Sequence, residues 1–98
     1  MAYQDELEQH QRLCILRTLN DQTGYRANES FIWNVLDRYG LTCSRDALRT
    51  QLAWLAEQRL VTTELLGSTT IASITQRGQD VAKGLATNPG VKRPSAGA

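Results

Sequence analysis

Two arginines one helical turn apart, Arg45 and Arg49, have the type and spacing that most clearly suggest chemistry. A guanidinium group presents a rigid fork of N–H donors, which can hydrogen-bond to O6 and N7 of guanine or to a phosphate. Residues near the amino end of a recognition helix reach the base edges of DNA. Ser44 precedes the two arginines and Thr50 and Gln51 follow them, so hydroxyl and amide groups would supplement the cations. We interpret this stretch as a candidate DNA-contacting segment.

Positive charge outside this stretch is scattered along the chain. Arg38 lies shortly before it, where the helix that precedes a recognition helix commonly rests on the DNA backbone. Lys92 and Arg93 lie near the carboxyl end, where basic arms add sequence-independent attraction to phosphate. The alternative is that the two arginines form a solvated face balanced by Asp46 and Glu57, and that the terminal pair only aids solubility.

The elements that must position these residues follow from hydrophobic spacing and from capping residues. Asn28, Ser44 and Thr75 are good N-caps, and Gly40 and Gly67 suit a helix end and a hairpin turn. Apolar residues at helical spacing and runs of β-branched residues mark the elements between them. The predicted helices run from Asp5 to Leu19, from Asn28 to Gly40, from Ser44 onward and from Gln76 to Leu85, and the predicted strands from Leu60 to Leu66 and from Thr70 to Thr75.

This order predicts a mainly α fold with a small β-hairpin. A helix, a short Gly-containing turn and a second helix, followed by a hairpin and another helix, are typical of a winged helix-turn-helix. We expect a three-helix core, a wing and a C-terminal helix within a domain that covers residues 1–86. Residues 87–98 are small or Pro- and Gly-containing and lack periodicity, which predicts a flexible basic tail.

Composition limits the function classes. The 98 residues, 41% of them hydrophobic, suit one small domain. No apolar run approaches the roughly 20 residues of a membrane helix, and the polar, acidic amino end does not resemble a signal peptide, so we expect a cytoplasmic protein without membrane contact. The net charge of +1 is low for a DNA-binding domain, and the predicted wing from Glu64 to Thr70 has no cation.

The residues needed for metal binding or catalysis are sparse. Cys14 and Cys43 lack metal-binding spacing, which favours reduced thiols over a disulfide. His10 lies one turn before Cys14, but a closed zinc site needs a fourth ligand, and none with sensible spacing is evident. Paired carboxylates, a nucleophile with its base, and a phosphate loop are all missing from the sequence. We therefore expect no enzymatic activity, no cofactor and no metal.

Three segments of the chain resemble a known family. RTQLAWLAEQRLVTTE, ITQRGQDVAKG and PGVKRP are similar to small winged-helix proteins of Mu-like transposable phages, which are often labelled as regulators of the arsenical-repressor type. The likeness extends from about Arg12 to Pro94. It implies a winged helix, a phage origin, a bacterial host cytoplasm, and double-stranded DNA as the partner of a transcriptional regulator. The third helix lacks the Cys-x-Cys pair of arsenical repressors, so metal sensing is not implied.

Several apolar residues suggest protein interfaces. Trp54 lies at the edge of the apolar stripe of the third helix, and tryptophan is a common interface anchor. Because small winged-helix proteins commonly dimerise through their terminal helices, we expect a homodimer that uses Leu7, Ile15, Val81 and Leu85. The alternative to DNA binding is a protein-interaction module that acts on a host or phage protein, which the near-neutral charge and the uncharged wing favour.

Overall fold

The computed structural model describes residues 2–95, and four α-helices and a three-stranded antiparallel sheet account for most of them. In chain order the elements are α1 (Ala2–Asp21), a 3₁₀ turn (Thr23–Tyr25), β1 (Arg26–Asn28), α2 (Glu29–Arg38), α3 (Arg45–Glu57), β2 (Val61–Leu66), β3 (Thr69–Ile74) and α4 (Gln76–Lys83). The strands are ordered β1, β3, β2 across the sheet. This α+β arrangement is compatible with a winged helix.

Side-chain caps begin α2, α3 and α4 at the predicted residues. Asn28, Ser44 and Thr75 each accept a hydrogen bond from an amide three residues later, at 2.8 to 3.0 Å. These bonds satisfy donors that the first helical turn would otherwise leave without partners. Helix α4 ends at Lys83, two residues before the predicted end, because Gly84 adopts φ +81, a left-handed conformation that stops a helix.

The segment between α1 and α2 differs from the predicted loop. Helix α1 continues to Asp21, and β1 follows the 3₁₀ turn. Strand β1 pairs with β3 so that Ala27 lies opposite the buried Ala72. A strand of three residues is too short to show an alternating pattern, and its pairing depends on β3, some forty residues later in the chain. The predicted hairpin is therefore two strands of a three-stranded sheet.

The hairpin itself is confirmed to within one residue. Strands β2 and β3 pair from Val61 opposite Ile74 to Leu66 opposite Thr69, and Gly67 in the turn between them has φ +64. Strand β2 forms an edge of the sheet, and within it only Val61 is buried.

The core lies where the four helices and the C-terminal Val91 pack against the sheet. Its side chains are almost all aliphatic, so their burial supplies the main favourable term in folding. The fully enclosed apolar members are Ile15, Leu16, Leu19, Ile32, Leu36, Leu48, Leu52, Leu55, Leu60, Val61 and Ala72. Among the described helices, none is both long and apolar enough to cross a membrane.

Residues 87–95 pack against the domain instead of extending from it as a tail. Asn88 and Val91 are buried, and the Asn88 side chain donates to Oε1 of Gln58 at 3.1 Å. The amide of Lys92 donates to the carbonyl of Gln9 on α1 at 3.1 Å. These contacts differ from the predicted flexible tail of residues 87–98 and place the predicted boundary at residue 86 inside the fold. Residues 96–98 lie outside the described part of the chain.

The C-terminal segment is bound by Arg12 of α1, a contact that the composition of the segment did not predict. Its Nη1 donates to the carbonyl of Gly90 at 2.9 Å, and its Nε donates to Oε1 of Gln51 at 2.7 Å. Its guanidinium also lies 3.9 Å from the centroid of the Trp54 ring. One side chain of α1 thus joins α3 to the C-terminal segment through charge-assisted hydrogen bonds and a cation–π contact.

Gly90→Ala tests this packing, because an added Cβ would lie 2.5 Å from two ring carbons of Trp54. We expect the free energy of unfolding to fall by about 2 kcal/mol, as overpacking forces the ring or the backbone to move. Chemical denaturation followed by tryptophan fluorescence measures the change. Thr87→Ala, at an exposed position of the same segment, is the control. Equal stabilities for the two variants would contradict the packed arrangement.

Candidate nucleic-acid interface

The carboxylate of Glu29, in the first turn of α2, connects the elements that carry the predicted DNA-contacting residues. Its Oε2 accepts from Nε of Arg49 at 2.9 Å and from Nη1 of Arg45 at 3.3 Å. Its Oε1 accepts from the backbone amide of Thr70 in β3 at 2.8 Å. Glu29 is only 1% exposed. A single buried side chain therefore holds α2, α3 and the hairpin together.

The environment of Glu29 favours its charged form. Burial by itself raises the pKa of a carboxyl group. The hydrogen bonds from Thr70, Arg49 and Arg45, together with the charge of Arg49, outweigh that effect and hold the pKa of Glu29 below its usual value. The carboxylate consequently stays ionised at neutral pH and cancels one of the two arginine charges.

The Arg45 side chain packs against the surface of the domain. Its guanidinium lies 4.6 Å from the centroid of the Trp33 ring, and its Nε is buried without a hydrogen-bond partner in the described structure. The Trp33 indole in turn donates to the carbonyl of Cys43 at 2.7 Å, which fixes the ring beside the turn before α3. Arg45 therefore supports the start of α3 more than it projects from it.

Arg49 combines a fixed orientation with exposure. Its Nε is bound to Glu29, whereas the side chain remains 51% exposed. Among the described residues, its two Nη groups have no hydrogen-bond acceptor. Of the two predicted arginines on α3, Arg49 is the more exposed, at 51% of its side chain against 35% for Arg45.

Apart from Arg49, the exposed face of α3 carries small or acidic side chains. Asp46, Ala47, Thr50, Ala53 and Glu57 are exposed, and none is a cation. The Thr50 hydroxyl donates back to the carbonyl of Asp46 at 3.3 Å, as threonine commonly does within a helix. The residue is exposed, but the surrounding face lacks the positive potential expected of a strongly basic recognition helix.

Gln51 does not lie on this face, which corrects its predicted role in DNA binding. The residue is 5% exposed, and its amide donates to Oε1 of Gln11 at 3.0 Å while its carbonyl accepts from Arg12. Position 51 lies between Leu48 and Leu52 on the buried side of the helix. A glutamine in a sequence suggests polar surface, whereas here both the amide nitrogen and the carbonyl oxygen have hydrogen-bond partners in the interior.

The remaining predicted contacts lie apart from one another. Ser44 is exposed, with its hydroxyl engaged as the α3 cap. Arg38 is exposed at the end of α2 and lines a cleft of about 470 Å³ between α1 and α2. Lys92 is half-buried and Arg93 exposed on a segment whose backbone is bound to α1. The last two are thus held in place near α1 and do not form a free arm.

The predicted dimer surface is only partly available. Ile15 is completely buried and Val81 is 2% exposed, so neither can meet a second copy; both fill the core because the buried stripes of α1 and α4 face each other. Leu85 is 76% exposed and Leu7 partly exposed. Trp54 is half-buried beneath Arg12, which weakens its predicted role as an interface anchor.

The cysteines remain apart from any ligand cluster. Cys14 and Cys43 are free thiols, and burial raises the pKa of each. Within residues 2–95, no three His, Cys, Asp or Glu side chains come together as metal ligands would.

Two features of this surface were not predicted, because local patterns in the sequence indicate them only weakly. Glu29 follows the cap Asn28, where an acidic residue is ordinary because it favours the helix dipole. Its burial depends on Arg45, Arg49 and Thr70, which no local pattern connects to it. The second feature is the exposure of two leucines near the hairpin turn, Leu65 at 68% and Leu66 at 53%; their hydrophobicity predicted a strand but not its solvent contact.

Glu29→Gln tests the role of the carboxylate. The amide still fits the space, but it leaves two arginines without a counter-charge, so we expect the free energy of unfolding at neutral pH to fall by about 2 kcal/mol. Urea denaturation measures this loss. Glu57→Gln, at an exposed position of α3, is the control and should change stability little.

The effect of Glu29→Gln on the free energy of unfolding should depend on pH. Because folding lowers the pKa of Glu29, the ionised carboxylate stabilises the native protein fully above the ordinary value of 4.5. That contribution is lost as the pH falls through the lower, folded pKa. The stability difference between the wild type and Glu29→Gln should therefore shrink in acid. A difference that stays constant below that pH would show that the charge of Glu29 is not the source of its effect.

The comparisons with known proteins identify phage and bacterial relatives. The uncharacterized protein gp26 of Escherichia phage Mu is 51% identical over 90 residues, which cover 92% of this chain and 93% of that protein. An uncharacterized protein of Haemophilus influenzae is 50% identical over 78 residues, which cover 79% of this chain and 76% of the relative. No protein-family model matches the chain. No solved structure matches it.

These relatives confirm the predicted resemblance to proteins of Mu-like phages, and neither name carries a repressor or winged-helix label. At half of all positions identical over nearly the full length of both proteins, the match to phage Mu is decisive for family membership. The chain belongs to the family of phage Mu gp26.

Proposed function

We propose that this protein is a phage winged helix-turn-helix protein that binds double-stranded DNA through α3 and acts as a transcriptional regulator in the bacterial host cytoplasm. The observation that carries the proposal is the geometry of Arg49. A buried carboxylate holds its Nε at 2.9 Å, while the side chain remains 51% exposed. An arginine fixed in this way presents paired donors to a guanine edge or a phosphate.

Fixing the side chain in advance strengthens such a contact. A free arginine loses rotamer entropy when it binds, and a side chain already held by Glu29 loses less. Arg45 donates to the same carboxylate oxygen, Oε2, and stacks on Trp33. Under this proposal Arg45 positions the site, Arg49 contacts DNA, and Thr50 and Ser44 add hydroxyl groups beside it.

The local charge limits how strongly DNA would be held without sequence recognition. Glu29 cancels one arginine, and Asp46 on the outward face offsets the other. Net attraction must then come from cations farther from α3, among them Arg38, Lys92 and Arg93. Few phosphate contacts imply a shallow dependence of affinity on salt. Under this proposal, DNA binding depends on a small number of oriented contacts.

Arg49→Ala tests the proposal in a duplex-binding assay. We expect affinity to fall at least about tenfold and the log–log salt slope to decrease by about 1, because one cationic contact is lost. Fluorescence anisotropy with labelled duplexes from phage genomic DNA measures both. Arg77→Ala, at an exposed site on α4, is the matched control.

Arg49→Lys separates recognition from charge. Lysine keeps the positive charge but lacks the guanidinium fork, so a large loss with Lys indicates bidentate recognition, and a small loss indicates phosphate attraction. Circular dichroism establishes that each variant is folded. If the folded wild type shows no duplex binding at low salt, DNA binding is excluded.

A second function, binding to another protein, is favoured by the apolar hairpin end. Leu65 and Leu66 are largely exposed near the turn that a DNA-binding wing would use, and the nearest charge on the strand is acidic Glu64. Together with Asp46 and Glu57 on α3, these residues suit a protein surface better than a phosphate backbone. This function would become the leading one if duplex binding were absent.

A further inference from the structure

We propose that the cleft between α1 and α2 binds a small anion that carries an aromatic ring. Arg17 and Arg38 hold the charged group, and Phe31 and Tyr39 pack against the ring. The residues that line this cleft come from α1, α2 and the segments that follow them, and none belongs to α3. The ligand site therefore does not depend on DNA binding.

The cleft has the size of a ligand site, and the fold fixes its walls. Its volume is about 470 Å³, and small-molecule sites usually span about 300 to 1,000 Å³. One face of α1, from His10 to Asp21, lines one side, and one face of α2, from Phe31 to Arg38, lines the other. The Gln11 amide donates to the Leu41 carbonyl at 3.1 Å, which binds the turn after α2 to α1. The cleft is thus formed before a ligand enters it.

The charges that line the cleft favour an anion. Arg17 lines it from α1 and Arg38 from α2. Among the salt bridges of residues 2–95, none includes either of these guanidinium groups, whereas four other arginines each have a carboxylate partner. In the described lining the only carboxylate is that of Asp21, so a net positive charge remains even with His10 neutral. An anionic group would supply the counter-charge that these arginines lack.

The apolar part of the lining favours an aromatic ring. Leu13 and Val35 are buried and give the cleft an apolar interior. Phe31 and Tyr39 also line it, yet they are 40% and 72% exposed. Aromatic side chains gain from packing against a second ring in offset or edge-to-face geometry, and guanidinium groups stack on flat rings. A ring in the cleft would therefore bury aromatic surface that now contacts water.

Only a ligand with both parts satisfies this lining. An inorganic anion would leave the apolar side chains in contact with water, and a neutral apolar molecule would leave two arginines without a counter-charge. The backbone of a DNA duplex also supplies phosphate. Arg17, however, is half-buried, so a small group that enters the cleft reaches it more readily than a duplex does. A small aromatic anion therefore fits the cleft best.

Titration with anilinonaphthalene sulfonate, a fluorescent aromatic anion, tests the site. The fluorescence of the wild type should saturate at about one molecule of probe per chain. Arg17→Gln should weaken binding at least about tenfold, because a charge-assisted hydrogen bond is lost. Arg77→Gln, which removes an exposed arginine of α4, is the matched control and should bind the probe like the wild type.

Tyr39→Ala tests the aromatic contact at a largely exposed position. It should weaken binding about threefold or more, whereas Tyr3→Ala, at an exposed position of α1, should not. Partly unfolded proteins bind this probe through exposed apolar surface, so a destabilised variant would gain fluorescence where the site predicts a loss. If the wild type shows no saturable binding up to about 1 mM probe, or if Arg17→Gln and Arg77→Gln bind equally well, the proposal is overturned.

Competition with non-fluorescent molecules identifies the ligand class. Benzoate should displace the probe at least about threefold more effectively than benzyl alcohol, which lacks the charge, or cyclohexanecarboxylate, which lacks the flat ring. Equal displacement by benzoate and either analogue overturns the proposal, as does a probe that neither benzoate nor deoxyadenosine monophosphate displaces. Stronger displacement by deoxyadenosine monophosphate supports it with a nucleotide as the ligand, and stronger displacement by benzoate supports it with an aromatic carboxylate.

Discussion

The arrangement of α2, α3 and the hairpin depends on one carboxylate buried among two guanidinium groups and a backbone amide. Moving an ionised carboxyl group out of water is costly unless its oxygens are bonded, and here each oxygen of Glu29 has a partner from a different element. The hydrophobic effect brings these elements together but is not directional, so burial alone constrains their angles less than hydrogen bonds do. The directional bonds at Glu29 supply that missing constraint, and they do so at the surface where α3 begins.

This constraint is obtained at the expense of positive charge. Without Glu29 the start of α3 would carry two arginines opposed only by Asp46 and would attract polyanions more strongly, but their side chains would sample many rotamers. With Glu29, half of that charge is cancelled and the guanidinium groups are oriented. The arrangement therefore fixes the orientation of the guanidinium groups and reduces the net positive charge around them. This agrees with a net charge of only +1 for the whole chain.

The sequence predicted the features that depend on neighbours in the chain. Asn28, Ser44 and Thr75 are identifiable as caps because each bonds to an amide three residues later. Gly67 is identifiable as a turn residue because glycine readily adopts the positive φ that the turn requires. What it did not predict depends on distant partners. Strand β1 requires β3, the burial of Glu29 requires α3, and Gln51 turns inward only because Gln11 and Arg12 of α1 meet it there. Ile15 and Val81 were expected at a surface because an apolar residue on an amphipathic helix does not reveal what covers it.

The bond between Arg12 and Gly90 spans nearly the whole chain and bears on how this protein is made. During synthesis α1 leaves the ribosome before the other helices and the sheet. Domains generally fold as they leave the ribosome. Here the indole of Trp54 and the guanidinium of Arg12 reach their final surroundings only after Gly90 has emerged. The native packing around Arg12 is therefore completed only when the segment that carries Gly90 has left the ribosome, and a ribosome stalled before that point would hold a chain in which α1 still lacks this contact.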